Sequence, residues 1–509
     1  MSTHALRRPL SVARGRMLDA AAALPLAAIA GGATWYLDQH GSFRGLALAA
    51  FGVAMLWLAT TPRTHLALAL FMLYVGALDG YFKLATGAEV VTLARDGLLF
   101  AIVVGVLVRA QVTGARLSAP PLTAWVVGFV LLVLVQLLNP QGGTFVHSLA
   151  GARQHLEFVP LFFLTFAFVR TTTALRSFVV LLLLIAAANG VVSWVQFRLK
   201  PEQFAKWGPG YAERVLGGGQ FVDAGRNFAS DAGTNRTRPF GLGSDAGSGG
   251  IIGAFACGGV LALASLFTRL RYLLFAVAMA VGATTAIITS QVRGVVVASV
   301  FVVLAYGLLT AVSRGRLASL LGIAVGALVG FFVIQGVVGA VGADALRYEG
   351  LSTSRILATT GQARGRSLEA IPRNVADYPL GAGLATAGPA SGVAGGSELV
   401  GEVDAESWFS FMTLETGIAG TALMTIFTGL LFGLGLARCR HEPDREARVL
   451  LAAIVAPLAA ILALYTIGGG LTATTPGGPY LWSVAGIVSY WLVARPAARR
   501  RELAKAAQR

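Results

Sequence analysis

Apolar runs recur from one end of the chain to the other, each close to the roughly 20 residues an α-helix needs to cross the hydrocarbon core of a bilayer. In lipid every backbone amide must be satisfied inside its own segment, so the runs predict an all-α, polytopic membrane protein. Composition agrees. Of all residues 56% are hydrophobic and only 13% charged, against roughly 25% charged in an ordinary soluble domain. Mean hydropathy is +0.71. No separate soluble domain of useful size interrupts the pattern, so 1–509 reads as a single membrane domain whose longest polar stretches are 199–246 and 341–405.

Fourteen spans are expected, at 18–37, 45–61, 66–82, 97–108, 121–138, 157–169, 177–197, 248–267, 272–289, 294–312, 317–340, 407–436, 449–467 and 479–494. Basic residues then fix the sides, because cytoplasmic loops carry an excess of Lys and Arg. With both termini cytoplasmic, every inner loop is basic, whereas the short outer loops hold only Arg44, Lys83, Arg95, Arg153 and Arg293. The net charge of +16 is explained by this bias, so no nucleic-acid partner is expected. The two long polar stretches become outer loops. The first carries Arg198, Lys200, Lys206, Arg214, Arg226, Arg236 and Arg238; the second carries Arg347, Arg355, Arg364, Arg366 and Arg373. An arginine-rich outer surface suits an anionic ligand, since the guanidinium fork grips phosphate oxygens in pairs. Loop solubility accounts for the same residues equally well.

The two cysteines, Cys257 and Cys439, fall at different depths, so no disulfide is expected. Neither has metal-ligand company. The six histidines form no HxxxH or HExxH pair, and there is no Walker-type or dinucleotide loop, so neither metal nor cofactor is expected.

Three outer-side patches stand out. In RPFGLGSDAGSGG, 238–250, Arg238 precedes a turn-rich entry to a span. It is either a grip for a diphosphate headgroup or a snorkelling interfacial side chain. In TSQVRGVV, 289–296, Arg293 sits in a very short outer turn between two apolar spans, where it must face water, protein or an anion. The third patch is the second long loop with the span after it. Leu368, Ile371, Val375 and Tyr378 are spaced for a short amphipathic helix, either a lid over a cavity or a helix packed on the bundle. The segment Pro379-Leu-Gly-Ala-Gly then ends it, and ESWFSFMTLETGIAG, 406–420, opens the next span.

In that order these parts resemble the O-antigen ligase and polymerase superfamily, bacterial GT-C-type membrane glycosyltransferases that use polyprenyl-diphosphate-linked glycans. The family's late motif runs His-Asn, aromatic and aliphatic positions, then Glu-x-Gly-φ-φ-Gly. ESWFSFMTLETGIAG matches this spacing, with Glu415, Gly417 and Gly420 on the family's Glu, Gly and Gly. RPFGLGSDAGSGG resembles its Arg-x-Phe-Gly segment, TSQVRG its Ser-Arg-Gly turn, DYPLGAGLAT its Pro-hydrophobic-Gly-x-Gly segment, and GARQHLEFVPLFFL, 151–164, its Arg-containing entry to an earlier span. One departure is plain: the family's histidine is Glu406 here and its asparagine is Ser407.

The resemblance implies glycosyl transfer at the outer face of a bacterial inner membrane, with Arg293, Arg238 and then Arg153 holding the diphosphate. Glu406, with Asp404 in reserve, would take the acceptor's proton; a carboxylate does so when partial burial lifts its pKa toward working pH. Glu415 is expected either to anchor its helix from inside the bundle, paired with a hydroxyl or an arginine, or to take part in the chemistry directly. Arg366 and Arg373 are secondary. Partners are the lipid-linked glycan, the bilayer and, for a polymerase, a chain-length regulator. Polymerisation of repeat units is the leading expectation. Transfer of finished glycan to lipid A core is the alternative within the class, and a transporter or flippase of lipid-linked glycan is the alternative outside it.

Overall fold

The computed structural model describes residues 43–87, 90–115, 117–216, 227–229, 235–267, 269–314, 367–392, 407–466, 472, 474–498, 500 and 504. The expected spans 18–37 and 317–340, and the candidates Asp404, Glu406 and Arg366, lie outside these residues.

By its internal packing the chain divides into two compact units, residues 1–75 with 88–119, and residues 76–87 with 120–509. The helices run in chain order α1 (Phe43–Thr60), α2 (Thr64–Ala77), α3 (Asp79–Thr86), α4 (Val90–Thr113), α5 (Thr123–Gln136), α6 (Phe145–Leu156), α7 (Pro160–Phe168), α8 (Thr172–Phe197), α9 (Pro201–Ala205), α10 (Pro209–Leu216), α11 (Ser248–Leu266), α12 (Leu270–Thr289), α13 (Arg293–Arg314), α14 (Ile371–Asp377), α15 (Trp408–Cys439), α16 (Arg445–Val455), α17 (Pro457–Leu464) and α18 (Gly477–Val488). A two-stranded antiparallel ribbon, β1 (Asn227–Ala229) and β2 (Asn235–Thr237), pairs Phe228 with Arg236 in the first long loop.

Among the described residues six helical segments are long and apolar enough to cross a membrane, or seven if Thr64–Ala77 and Asp79–Thr86 form one span. Large apolar side chains on these helices face outward, among them Val191 at 65% exposure and Val281 at 61%. Faces of this kind on a soluble protein would be an association hazard; on a membrane-embedded protein lipid covers them.

Several expected spans differ in form. The stretch 97–108 is the middle of the 24-residue α4. The stretch 157–169 is helical only as α7, from Pro160 to Phe168: α6 ends at Leu156, residues 157–159 turn, and Pro160, which has no N–H to leave unpaired, opens the new helix. The stretch 449–467 divides in the same way at Pro457. The stretch 407–436 is one helix with a break at Gly417, where φ is 69° and ψ −173°.

In the smaller unit α1 packs along α4. Arg109 fastens the pair by donating to the Ala59 carbonyl at 2.8 Å and to Thr64 Oγ1 at 3.1 Å. In the larger unit α8, α11 and α12 pack closely. Their contacts use small residues, as membrane helices do where backbones must approach: Gly190 lies directly against the backbone of Gly282. Both cysteines are free thiols.

Candidate functional site

The candidate site lies in the larger unit and has two parts. The first collects the segments that carry Arg238 and Arg293. Two side-chain amides in the C-terminal half of α8 hold the segment after Arg238. Gln196 Oε1 accepts from the backbone N–H of Phe240 at 2.9 Å and of Gly241 at 2.8 Å, and its Nε2 donates to the Gly241 carbonyl at 2.9 Å. Asn189 Oδ1 accepts from Leu242 N at 2.8 Å. Phe240 is fully buried in an aromatic core with Phe204 and Tyr211, their centroids 5.4 and 6.0 Å away. Burial pushes the Tyr211 phenol up, so it stays neutral in this core. The segment then turns through Gly241 and Gly247, both at positive φ, into the N-terminus of α11.

The Arg293 turn packs on that same entry. It occupies residues 290–292 between α12 and α13, and Gln291 adopts a φ of 54° that a non-glycine residue rarely takes. A Cβ at Gly247 would lie 2.6 Å from Val292 Cγ2, and one at Gly250 would lie 2.7 Å from Ser290 Cβ. The two arginine-bearing backbone segments therefore touch. The first segment leads into α11, whose opening N–H groups are already bonded, Ser248 N to the Asp245 carbonyl at 3.2 Å and Gly249 N to the Phe240 carbonyl at 3.2 Å; the second opens α13 at Arg293. Arg238 and Arg293 are each half-buried.

The second part is a knot of α5, α6, residues 379–387 and α15. At Gly417 the helical hydrogen bonding is interrupted and the Pro-Leu-Gly-Ala-Gly segment fills the gap. Ala382 N donates to the Leu414 carbonyl at 2.6 Å, and Ile418 N donates to the Pro379 carbonyl at 3.4 Å. Gln136 donates to the Leu380 carbonyl, and Asn139 donates to the Gly381 carbonyl at 2.9 Å. His147 Nε2 reaches the Ala385 carbonyl at 2.8 Å. A carbonyl only accepts, so that nitrogen carries the proton.

Glu415 lies at the centre, fully buried. Its Oε2 is 2.6 Å from His155 Nε2, and its Oε1 accepts from Ala387 N at 3.3 Å. The imidazole is 2% exposed, stacked on Phe411 at 5.5 Å and edge-on to Phe129 at 6.1 Å. The carboxylate thus faces the bundle, and its partner is a histidine where a hydroxyl or an arginine was expected. His155 sits in the quoted segment 151–164, where the sequence drew attention to Arg153 instead. The signal was present: a carboxylate inside a span needs a polar partner, and the chain has only six histidines.

The remaining candidates fall elsewhere. Arg153, on α6 two residues before His155, reaches Glu157 at 3.7 Å with its side chain 35% exposed. It is carried by other elements than Arg238 and Arg293. Arg373 is 85% exposed on α14 and pairs with Asp377 at 3.5 Å, an exposed contact that contributes little. Where the amphipathic helix was expected, residues 367–369 are helical and α14 follows at Ile371–Asp377, with Asn374 its buried residue. Buried Ser367 ties this region to the start of α15: Ser407 N donates to Ser367 Oγ at 3.1 Å, and Ser410 Oγ donates to the Ser367 carbonyl at 3.0 Å. Among the described residues no three His, Cys, Asp or Glu side chains are grouped as metal ligands. Comparison of the chain with family profiles, with curated proteins and with solved structures finds no match.

Proposed function

We propose that this protein is a membrane glycosyltransferase that polymerises polyprenyl-diphosphate-linked oligosaccharide units at the outer face of a bacterial inner membrane. In this reading the chain is GT-C-like, crosses the bilayer fourteen times and keeps both termini in the cytoplasm. The observation that carries the reading is the direct packing of the segment that follows Arg238 on the turn that precedes Arg293, which brings the two arginine-bearing segments together.

The reaction needs a place for negative charge. An acceptor sugar hydroxyl attacks the anomeric carbon of the donor. The bond from that carbon to the diphosphate oxygen breaks, and its electron pair leaves with the polyprenyl diphosphate. The hydroxyl proton passes to a carboxylate, Glu406 in this reading with Asp404 in reserve. Positioned donors that meet the developing charge are worth roughly a hundred- to thousand-fold each. Arg293→Ala is therefore expected to lower turnover about a hundred-fold, and Arg293→Lys to recover little of it, because an ammonium cannot grip two oxygens at once. The test is purified protein in lipid with lipid-linked glycan from the native host, followed by the length distribution of the product. Unchanged chain length and yield in Arg293→Ala would remove that residue from the clamp.

A transporter of lipid-linked glycan is the second reading, favoured by the broken helix at Gly417, since discontinuous helices line many transport sites. A deletion strain that still makes polymer of normal length, with intermediate accumulating inside, would favour it.

A further inference from the structure

We infer that His155 is a positioning residue for glycosyl transfer: through Glu415 it fixes the first segment of α15 and the loop lodged in its break. This rests on the glycosyltransferase reading. The break at Gly417 makes residues 408–416 a short lever, separated from the long helix that continues to Cys439. The lever is held at both ends. At its start Ser407 caps the helix by accepting from Ser410 N at 3.0 Å and is itself tied to Ser367. At its far end Glu415 meets His155 at 2.6 Å. The same carboxylate accepts from Ala387 N, so one side chain joins α6, the inserted loop and the lever.

The residue before Ser407 is Glu406, the acid that the proposed reaction uses as base. A lever that swings by about 1 Å at such a position can cost roughly a hundred-fold in rate. Hydrophobic packing alone leaves that direction less well specified, because apolar contacts are not directional. A buried ionisable pair is costly to maintain and is often matched in stability by apolar residues of similar size. Its use here is orientation. The charged and titratable groups around it are few: Glu415 from α15, with His147, Arg153 and Glu157 on or beside α6; residues 379–387 and α5 contribute none.

The test uses full-length protein in lipid with lipid-linked glycan from the native host. His155→Leu combined with Glu415→Leu removes the directional tie and leaves no buried charge. It is expected to keep most of the wild type's stability, to lose about 10- to 100-fold in kcat, and to leave KM within a few-fold. His155→Gln, which retains a donor toward Glu415, is expected to recover most of that loss. A double variant with wild-type kcat overturns the inference. So does a well-folded His155→Gln as impaired as the double variant, since the imidazole itself would then be required. A second measurement needs no substrate. Cysteines placed by Ser367→Cys and Ser407→Cys, whose hydroxyl oxygens lie 3.4 Å apart, are expected to cross-link rapidly in the parent and at least several-fold more slowly with the double leucine change. Equal cross-linking rates contradict the lever. If the parent neither lengthens nor transfers glycan, the functional reading fails while the cross-linking result still decides the latch.

Discussion

Gly417→Ala is expected to abolish the native arrangement of α15, seen as loss of monodisperse protein in detergent or an unfolding free energy lower by at least ~3 kcal/mol. Two effects add. The backbone at Gly417 has φ 69° and ψ −173°, a region open almost only to glycine and costing other residues about 1–3 kcal/mol. Space is closed as well. A Cβ would stand 2.6 Å from the Leu380 carbonyl carbon, 2.8 Å from Pro379 O and 2.9 Å from Gly381 N. All three are backbone atoms, which cannot rotate away as a flexible side chain could. The chain then has two exits. Either α15 straightens through residue 417 and expels the inserted loop, or the loop stays and the helix is strained. The first exit loses the bond from Ala382 N to Leu414 O and leaves the Gln136 and Asn139 amides without the carbonyls they now serve. Alanine elsewhere in a membrane helix is ordinarily benign, so a mild effect here would show that the break is not part of the native fold.

Glu415→Leu is the second large effect. It leaves the His155 ring, 2% exposed, without its hydrogen-bond partner, and Ala387 N without its acceptor. Removing one member of a buried pair costs about 3–5 kcal/mol, whereas replacing both by apolar residues is often neutral or stabilising. Adding His155→Leu to Glu415→Leu is therefore expected to return most of the lost stability, although two mutations normally sum. The measurement is a double-mutant cycle on unfolding in detergent. A coupling of several kcal/mol is expected; simple additivity would mean that the two side chains do not act as a pair.

Much of the spanning pattern was legible because it is local. A helix such as α12 announces itself through its own apolar run, and its expected start at 272 and end at 289 lie within two residues of Leu270–Thr289. The short turn before Arg293 was visible for the same reason. What could not be read is contact between distant segments. Gly417 and the glycines of Pro-Leu-Gly-Ala-Gly were each singled out, but nothing in either stretch says that one is lodged in a helix broken at the other. Pro160 sets the late start of one expected span and Pro457 divides another, an outcome that hydropathy averages conceal. His155 was passed over because a neighbouring arginine fitted an anionic ligand better. Its pairing with Glu415, 260 positions later, follows from burial, which the sequence does not show.

The central claim is that joined arginine segments serve glycosyl transfer from a polyprenyl diphosphate. The most direct measurement is product analysis after incubating the purified protein, in lipid, with lipid-linked glycan from its native host. The account predicts longer glycan together with released polyprenyl diphosphate, both lost in an Arg238→Ala, Arg293→Ala double variant that remains folded. Recovery of the lipid-linked glycan unchanged, with no new glycosidic bond and no released lipid diphosphate, would contradict it.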